Sequence, residues 1–299
     1  MKMKNVLLAL LLIGVTTTCS FAQHDDPTPE VLSFDRMTQY IHDLELPESM
    51  EFCGEQVPLD RFYVREALER EILVNTYRHA SNILLLKRTT RWFPVIEPIM
   101  RKNNIPEDFK YLAMIESDLT NAVSPSKAVG FWQFLEGTGK QYKLEIYKEV
   151  DMRYHQEKET QAACEFLNDL YKRFGSWTLA AAAYNCGGGK VSRTIEEQHV
   201  TSYYDMLLPA ETERYIYRIL ALKLITENPQ KYGFNISDNG WYQPLEYKTV
   251  KVTQTIDDLA QWAVNQGTNL KMLKYYNPWL RSNTLTISPG NSYVIKLPK

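Results

Sequence analysis

Residues 106–134 read PEDFKYLAMIESDLTNAVSPSKAVGFWQF, a helical run that leads into a loop of small and aromatic residues. Pro106 suits a first helical position, because a backbone N–H there would have no partner within the helix. Phe109, Leu112 and Glu116 are spaced by three and four residues, so they share one face of the predicted helix. The segment therefore predicts an acid near the end of a short helix, on its apolar side.

An acid on an apolar helix face loses hydration, which disfavours its charged form and raises its pKa. A carboxyl that keeps its proton near neutral pH can deliver that proton to the leaving oxygen of a glycosidic bond. Taken alone, Glu116 also fits a solvated residue at a helix end, which is the commoner role of a single Glu. The choice between the two roles depends on the motifs that follow.

Three further motifs follow Glu116-Ser117 in order along the chain. They are the stretch 124–134 with Gly130-Phe131-Trp132-Gln133, then Ala183-Tyr184-Asn185, and then Glu211-Thr212 with Tyr215. With these motifs, residues 92–226 resemble lytic transglycosylases of the soluble-transglycosylase type, within the goose-lysozyme-like superfamily. They look most similar to the membrane-bound murein transglycosylase D branch. The resemblance implies a mainly α fold with a lysozyme-like helical catalytic domain.

The resemblance also implies roles for single residues. Glu116 corresponds to the sole catalytic acid and base of that family. Gly130 permits close approach of the backbone to a ligand, Trp132 offers a flat apolar face to a sugar, and Gln133 can bond to N-acetyl groups. Phe131 stands where the family usually has Leu, which should alter the shape of the cleft more than its chemistry. The residues expected to bind substrate are Ser117, Ser124, Gly130, Phe131, Trp132, Gln133, Tyr184, Asn185, Glu211 and Tyr215.

Two of the aromatic residues have a second interpretation. A residue such as Trp132 is as often part of a core as of a ligand site. Ser176 predicts a helix cap, and Asn185 and Gly187 predict the end of that helix, so Tyr184 lies at a terminus where site residues often project. Without the resemblance, Tyr184 would be interpreted as a packed aromatic residue.

The family reaction provides the functional expectation. One Glu protonates the leaving oxygen of the bond between N-acetylmuramic acid (MurNAc) and N-acetylglucosamine (GlcNAc), and then deprotonates the C6 hydroxyl of MurNAc. That hydroxyl closes a 1,6-anhydro ring, and the expected partner is a peptidoglycan glycan strand. Ordinary glycosidases use two carboxylates, so a hydrolytic muramidase with Glu211 as the second one stays open. A non-catalytic peptidoglycan-binding protein is the other alternative.

A different pattern begins after Asn228-Pro229. Residues 247–252 alternate like a strand, two short helical patterns follow, and residues 293–297 close as a second strand. This order resembles a degenerate lysin-motif (LysM) domain, a small βααβ unit that binds GlcNAc polymers. Thr253-Gln254 stands where that family has Gly-Asp. A packing module without a ligand is the alternative interpretation.

Composition excludes several other classes. The chain has 299 residues, with 34 Lys and Arg against 36 Asp and Glu, and a hydrophobic share of 44%. The hydrophobic share argues against a disordered chain, and the near-neutral balance argues against a nucleic-acid partner held by bulk charge. Five His residues without HExxH or CxxC indicate no metal site. We therefore expect neither a metal nor another cofactor.

The N-terminal segment predicts export. Two lysines precede the apolar run 6–15, and residues 20–22 offer the small side chains that a signal peptidase reads. Ten apolar residues are too few to span a bilayer of ~30 Å as a helix. We expect a signal peptide over 1–22 and a mature protein without a transmembrane segment, in the periplasm or cell envelope. A buried N-terminal helix and a lipoprotein modified at Cys19 are the less favoured alternatives.

The helical pattern from residue 31 to about residue 226 has predicted breaks. They lie at Pro58, Pro94, Pro106, Pro125, Gly175, Gly187–Gly189 and Pro209. The predicted organisation is a signal peptide (1–22), an N-terminal helical extension (23–90), a catalytic domain (91–227), a linker (228–245) and the LysM-like module (246–298).

Three cysteines remain after the signal peptide. Cys164 and Cys186 each lie eleven residues from Gly175, so a helical hairpin turning there would bring them close together. In an oxidising compartment they could form a disulfide, and two buried thiols are the equally weighted alternative. Cys53 would then be unpaired.

Overall fold

The computed structural model describes residues 43–299. The predicted signal peptide (1–22) and the first part of the N-terminal extension therefore lie outside the described residues. Within 43–299, no helix combines the length and the apolar character that a membrane span requires.

The described chain is mainly helical up to Glu227 and ends in a strand–helix–helix–strand unit, as the sequence predicts. The helices of the first part are α1 (Phe62–Tyr77), α2 (His79–Lys102), α3 (Lys110–Ser117), α4 (Glu136–Gln141), α5 (Gln156–Phe174), α6 (Trp177–Cys186), α7 (Gly188–Gln198), α8 (Ala210–Glu213) and α9 (Tyr215–Glu227). They are preceded by the short antiparallel strands β1 (Glu51–Phe52) and β2 (Glu55–Gln56). The C-terminal unit contains β3 (Tyr247–Val252), α10 (Leu259–Asn265), α11 (Leu270–Tyr276) and β4 (Tyr293–Pro298).

Helix α9 is the centre of the helical domain. Eight of its 13 residues are buried, which is typical of a helix surrounded by other elements, and it lies against α1, α3 and α6. Helices α5 and α6 form a hairpin whose turn is Gly175, in the left-handed conformation with φ of 67°. The four consecutive alanines of α6 (180–183) are all buried, and their small side chains let the neighbouring helices approach closely. These contacts place the ends of α3, α6 and α8 around one cleft.

Helix α2 corrects one prediction. The expected break at Pro94 is wrong, because α2 continues through Pro94 and Pro98 to Lys102. A proline inside a helix removes a hydrogen bond and costs about 3 kcal/mol. Packing on both sides of Pro94 offsets that cost, since Leu86 and Ile96 are almost completely buried. Helix α2 also crosses the predicted boundary at residues 90 and 91, so the extension and the catalytic domain share this helix.

The hairpin of β1 and β2 is an element that the sequence pattern did not indicate. Its turn consists of Cys53 and Gly54, both with positive φ, of 54° and 79°. The hairpin places the Glu55 carboxylate at the start of α6, where it accepts hydrogen bonds from the N–H of Thr178 (2.9 Å) and the hydroxyl of Ser176 (2.9 Å). An acid at a helix N-terminus satisfies free N–H groups, so the hairpin fixes the helix that carries Tyr184.

The C-terminal unit has the βααβ order of the prediction. Strands β3 and β4 pair antiparallel, with Tyr247 opposite Pro298 and Val252 opposite Tyr293. The segment 228–245 before it packs against α2, where the N–H of Tyr242 bonds to the carbonyl of Lys87 (3.3 Å). A groove of about 470 Å³ beside α10 includes Thr253, Gln254 and Trp262 in its lining. Glycan binding by this unit stays a prediction.

Candidate active site

A cleft of about 600 Å³ opens where α3, α6 and α8 meet the loop before α4. Of the residues predicted to form the site, Glu116, Ser124, Gln133, Tyr184, Asn185 and Glu211 line this cleft together. The complete lining is Glu116, Ser124, Pro125, Ser126, Ala128, Gln133, Phe134, Leu135, Thr138, Phe166, Ala183, Tyr184, Asn185, Cys186, Gly187 and Glu211.

Glu116 lies in the last turn of α3, on the side of the cleft. The helix stops after Ser117 because Asp118 adopts the left-handed conformation, with φ of 52°. The phenol of Tyr215, a buried residue at the start of α9, donates a hydrogen bond to Glu116 Oε1. Arg218, one turn further along α9, bonds to the carbonyl of Ile115 (3.2 Å) and places its charge near the carboxyl.

The pKa of Glu116 is raised above the ordinary value of 4.5. Burial is the largest cause, and the negative charge of Glu211 adds to it. The hydrogen bond from Tyr215 and the charge of Arg218 act in the opposite direction, because both stabilise the carboxylate. The site thus favours the protonated carboxyl more than water does, and it has a donor ready for the charged form. These are the properties of a group that acts as an acid and then as a base.

Ser117 and Ser124 have structural partners. The buried hydroxyl of Ser117 donates to the carbonyl of Phe131 (3.0 Å), which ties the end of α3 to the loop before α4. The hydroxyl of Ser124 accepts from the N–H of Ala128 (3.0 Å) while the residue lines the cleft. Ser117 therefore supports the site from behind, and Ser124 stands at its surface.

The loop Gly130–Gln133 passes directly over the backbone of residue 153. A Cβ atom on Gly130 would lie 2.0 Å from the carbonyl oxygen of Arg153, and φ is 88°, so only glycine fits. Gln133 also has a positive φ, of 51°. Its amide donates to the carbonyls of Gly130 (2.8 Å) and Ala122 (3.2 Å), which leaves its oxygen for a ligand in the cleft.

The side chains of Phe131 and Trp132 do not line the cleft. Trp132 is 0% exposed, and its indole N–H donates to Thr160 (2.9 Å) inside the core. Phe131 is buried against Trp92, with ring centroids 5.1 Å apart. The prediction that the Trp132 ring lies against a sugar is wrong for this structure, because the positive φ of Gly130 turns the loop so that this ring faces α5. Both residues contribute to the site through their backbone.

The opposite wall comes from α6 and α8. The hydroxyl of Tyr184 donates to the carbonyl of Trp132 (2.7 Å) and joins the two walls at the floor of the cleft. Burial raises the pKa of Tyr184 well above 10.0, so this donor keeps its proton. Asn185 accepts a hydrogen bond from the hydroxyl of Thr212 (2.8 Å), which fixes its amide, and the neighbouring Glu211 is exposed at the cleft.

Several residues of the site were not identified from the sequence. Arg218 could have been found, because it lies three residues after Tyr215 and so on the same side of α9. Phe166, on α5, and Cys186 line the cleft without any motif that marks them. Cys53, Cys164 and Cys186 are free thiols, and Cys164 is buried in the core. Cys164 and Cys186 therefore form no disulfide in this structure, which is the second of the two predicted alternatives.

Two protein families match the chain. The family described as "Transglycosylase SLT domain" matches residues 94–206, which include Glu116 and most of the cleft. The family described as "Soluble lytic transglycosylase C-terminal LysM-like domain" matches residues 248–299. Residues 94–206 therefore form an SLT domain, and the βααβ unit forms a LysM-like domain.

Curated relatives of the chain include two lytic murein transglycosylases. The chain is 28% identical, over its whole length and 68% of the relative, to the membrane-bound lytic murein transglycosylase D of Escherichia coli K12. The corresponding protein of Escherichia coli O6:H1 gives the same figures. A putative tributyltin chloride resistance protein of Alteromonas is 38% identical over 98 residues, which is 32% of this chain and 47% of that protein.

Proposed function

We propose that this chain, a lytic transglycosylase with an SLT domain and a C-terminal LysM-like domain, cleaves the MurNAc-β-1,4-GlcNAc bond of peptidoglycan with Glu116 as its only acid and base. The observation that carries the proposal is the half-buried, desolvated carboxyl of Glu116 at the cleft, joined to the phenol of Tyr215. An acid with a raised pKa and a donor for its charged form meets both requirements of the reaction.

In the first half of the reaction, protonated Glu116 gives its proton to the glycosidic oxygen, and the bond between that oxygen and C1 of MurNAc breaks. The GlcNAc side leaves with a hydroxyl, and C1 becomes positively charged. Glu116 is now a carboxylate, which the Tyr215 phenol stabilises by its hydrogen bond. Because this contact favours the charged form, it lowers the cost of proton transfer.

In the second half, the C6 hydroxyl of the same MurNAc attacks C1 and gives its proton to Glu116. The new bond between C1 and O6 closes the 1,6-anhydro ring, and the carboxyl returns to its protonated state. The two proton transfers cancel, so the step needs neither water nor a second carboxylate. The amide of Gln133 and the amide of Asn185, which line the same cleft, are proposed to hold the sugar during this closure.

Hydrolysis is the second candidate, because one observation favours it. Glu211 places a second carboxylate in the cleft of Glu116, and an inverting glycosidase uses such a group to activate water. Glu211 is exposed and lies on the short helix α8, whereas Glu116 is half-buried and hydrogen-bonded to Tyr215. We therefore propose that Glu211 shapes the electrostatic environment of Glu116 and does not take part in proton transfer.

Mass spectrometry of digested peptidoglycan glycan distinguishes the two reactions. Transglycosylase cleavage should give fragments with anhydro-MurNAc ends, each lighter by one water than the hydrolysed fragment. Fragments that carry the additional water throughout the time course would overturn the lytic assignment. A Glu211→Gln variant provides the matched control, since it should give the same anhydro products as the natural chain.

The cellular location is part of the same proposal. The relatives in Escherichia coli are named as membrane-bound enzymes, and the glycan strands of peptidoglycan lie outside the cytoplasm. We therefore propose that this chain is exported and acts in the cell envelope.

A further inference from the structure

The LysM-like domain is docked on the helical domain through main-chain pairing. Its contact on the helical domain is the segment 145–157, which we call the docking segment. The N–H of Asp151 donates to the carbonyl of Trp279 (3.0 Å), and the N–H of Arg281 donates to the carbonyl of Glu149 (2.8 Å). Val150 and Leu280 form an antiparallel bridge between these bonds. Backbone pairing of this kind fixes both position and direction.

Charged and hydroxyl side chains reinforce the pairing. The carboxylate of Glu149 accepts from the hydroxyl of Thr284 (2.6 Å) and from the N–H of Thr286 (2.7 Å). At the other end of the docking segment, the ammonium of Lys296 bonds to the carboxylate of Glu157. Both bonds between side chains are partly buried, so solvent screens them less than it screens surface pairs.

Aromatic rings fill the space between the Glu149 and Glu157 contacts of the docking segment. The His155 ring stacks on Trp279 with centroids 6.1 Å apart, and Trp279 is only 2% exposed. The guanidinium of Arg281 lies 4.1 Å from the centre of the Tyr154 ring. Pairing, charge and ring contacts thus make one continuous interface along the docking segment.

The docking segment also holds the loop that forms one wall of the cleft. The Arg153 guanidinium, buried and paired with Asp151 (2.7 Å), donates to the carbonyl of Phe134 (3.1 Å) and to the carbonyl of Lys127 (3.3 Å). The carbonyl of Arg153 is the group that leaves no room for a Cβ on Gly130. Asp151 therefore bonds to the LysM-like domain through its N–H. Through its carboxylate it orients Arg153, which supports the loop before α4.

We propose that the LysM-like domain has a further function as a structural support of the active site: docked on residues 145–157, it fixes Arg153 and thereby the loop Gly130–Gln133. The catalytic readout of this proposal rests on the proposed transglycosylase function. Gln133 is the positioned residue, since its side chain lines the cleft from that loop. A displaced loop misplaces the sugar, and a shift of about 1 Å costs up to about a hundredfold in rate.

The test uses the full chain and the Lys296–Glu157 pair. The Lys296→Glu variant places an acid against Glu157, while Lys248→Glu makes the same charge change at an exposed site on β3 of the same domain. The double variant Lys296→Glu/Glu157→Lys restores the pair with its charges exchanged. Activity is measured on a soluble GlcNAc-MurNAc tetrasaccharide, and amide hydrogen exchange is measured over residues 127–134.

We expect Lys296→Glu to lower kcat by roughly tenfold to a hundredfold, with a smaller change in KM, and to speed hydrogen exchange in 127–134. Lys248→Glu should match the natural chain in both measurements. The double variant should recover most of the activity and the slow exchange, which a general loss of stability would not do.

Normal exchange over 127–134 and normal kcat in Lys296→Glu would overturn the proposal, as would the same losses in Lys248→Glu. If Lys296→Glu fails to fold, Thr284→Val removes the milder contact with Glu149 and is read in the same way. If the natural chain shows no cleavage of any glycan, the proposed function fails, and hydrogen exchange alone still decides whether docking orders the loop.

Discussion

Two desolvated carboxyls, those of the half-buried Glu116 and of the buried Glu159, occupy contrasting regions of the helical domain. Burial is the largest cause of a raised pKa in both. Glu116 lines the cleft at the end of α3, whereas Glu159 is 0% exposed and lies in α5 beneath the loop Gly130–Gln133. The same physical cause therefore acts at an open site and at a closed one.

The partners of the two groups differ as well. The Glu116 carboxyl receives the phenol of Tyr215, and the charge of Arg218 lowers its pKa. Glu159 accepts the N–H of Trp132 (3.3 Å), and its Oε1 has no hydrogen-bond partner among residues 43–299. The nearby charges of Asp151 and Glu157 raise the pKa of Glu159 further.

Under the proposed function, the two carboxyls are distinguished by access and by partners, and not by desolvation alone. At both positions, desolvation favours the protonated form of the carboxyl and raises its pKa. Only Glu116 combines that property with access to the cleft and with a donor that stabilises the charge left behind. Glu159 is a neutral group in the packing behind the loop, where it can accept hydrogen bonds but cannot reach a substrate.

The largest effect is expected from Glu116→Gln. The amide keeps the shape of the side chain and can accept the hydrogen bond from Tyr215, but it cannot transfer a proton. We expect kcat to fall by about a hundredfold to ten-thousandfold, the usual contribution of a general acid or base, with an unchanged circular dichroism spectrum. Assays of anhydro product by mass spectrometry measure the loss.

The matched control for this variant is Glu159→Gln, which makes the same chemical change in the closed region. It should keep activity within about twofold. Comparable activity losses in the two variants would show that the contrast between open and closed carboxyls is wrong, and full activity in Glu116→Gln would refute the role of Glu116.

Much of the site could be predicted from the sequence, because its signals are local. The spacing of Phe109, Leu112 and Glu116 predicts an acid on the apolar side of a helix, and the structure has Glu116 in the last turn of α3. The Ser176 cap is observed too, with its hydroxyl accepting from the N–H of Leu179. Caps and helical faces depend on neighbours within one or two turns, so the sequence displays them directly.

The direction of a side chain in a loop could not be predicted in this way. Trp132 points into the core because Gly130 and Gln133 adopt positive φ and Thr160 offers an acceptor for its indole. Helix α2 continues through Pro94 because distant elements bury it on both sides of the proline. Both outcomes depend on long-range packing, which no pattern of spacing encodes.

Tyr215→Phe should have the next largest effect. Removing the phenol withdraws a hydrogen bond that favours the carboxylate of Glu116, so the pKa of Glu116 rises further. We expect kcat to fall by about tenfold, since a hydrogen bond to a charged group contributes about 1.5–3 kcal/mol. The fall of kcat/KM on the alkaline side should also move to higher pH, because the acid keeps its proton longer.

A pH profile of kcat/KM for both enzymes measures this shift. Tyr204→Phe is the control, since it removes the phenol of a half-buried tyrosine of the same domain that does not line the cleft. An alkaline limb that stays in place, or moves to lower pH, would show that the Tyr215 phenol does not stabilise the charged form of Glu116.

The smallest effect on activity, and a distinct effect on stability, is expected from Glu159→Gln. The folded state raises the pKa of Glu159 well above the ordinary 4.5, so the contribution of Glu159 to stability is most favourable below pH 4.5, where Glu159 is protonated in both states. As the pH rises from there through the raised pKa, the unfolded state gains from ionisation and the natural chain loses stability. Glutamine does not titrate and resembles the protonated acid.

Urea unfolding of the two proteins across pH should therefore give curves that separate as the pH rises, with the Glu159→Gln variant the more stable one near neutral pH. Below pH 4.5 the difference between the two free energies of unfolding should no longer depend on pH. If the stability of the natural chain instead increased relative to that of the variant with rising pH, Glu159 would be ionised and favourably paired. In that case the closed region around Glu159 would hold a charge. The difference between Glu159 and Glu116 would then lie in the partners of the two carboxylates and not in their protonation.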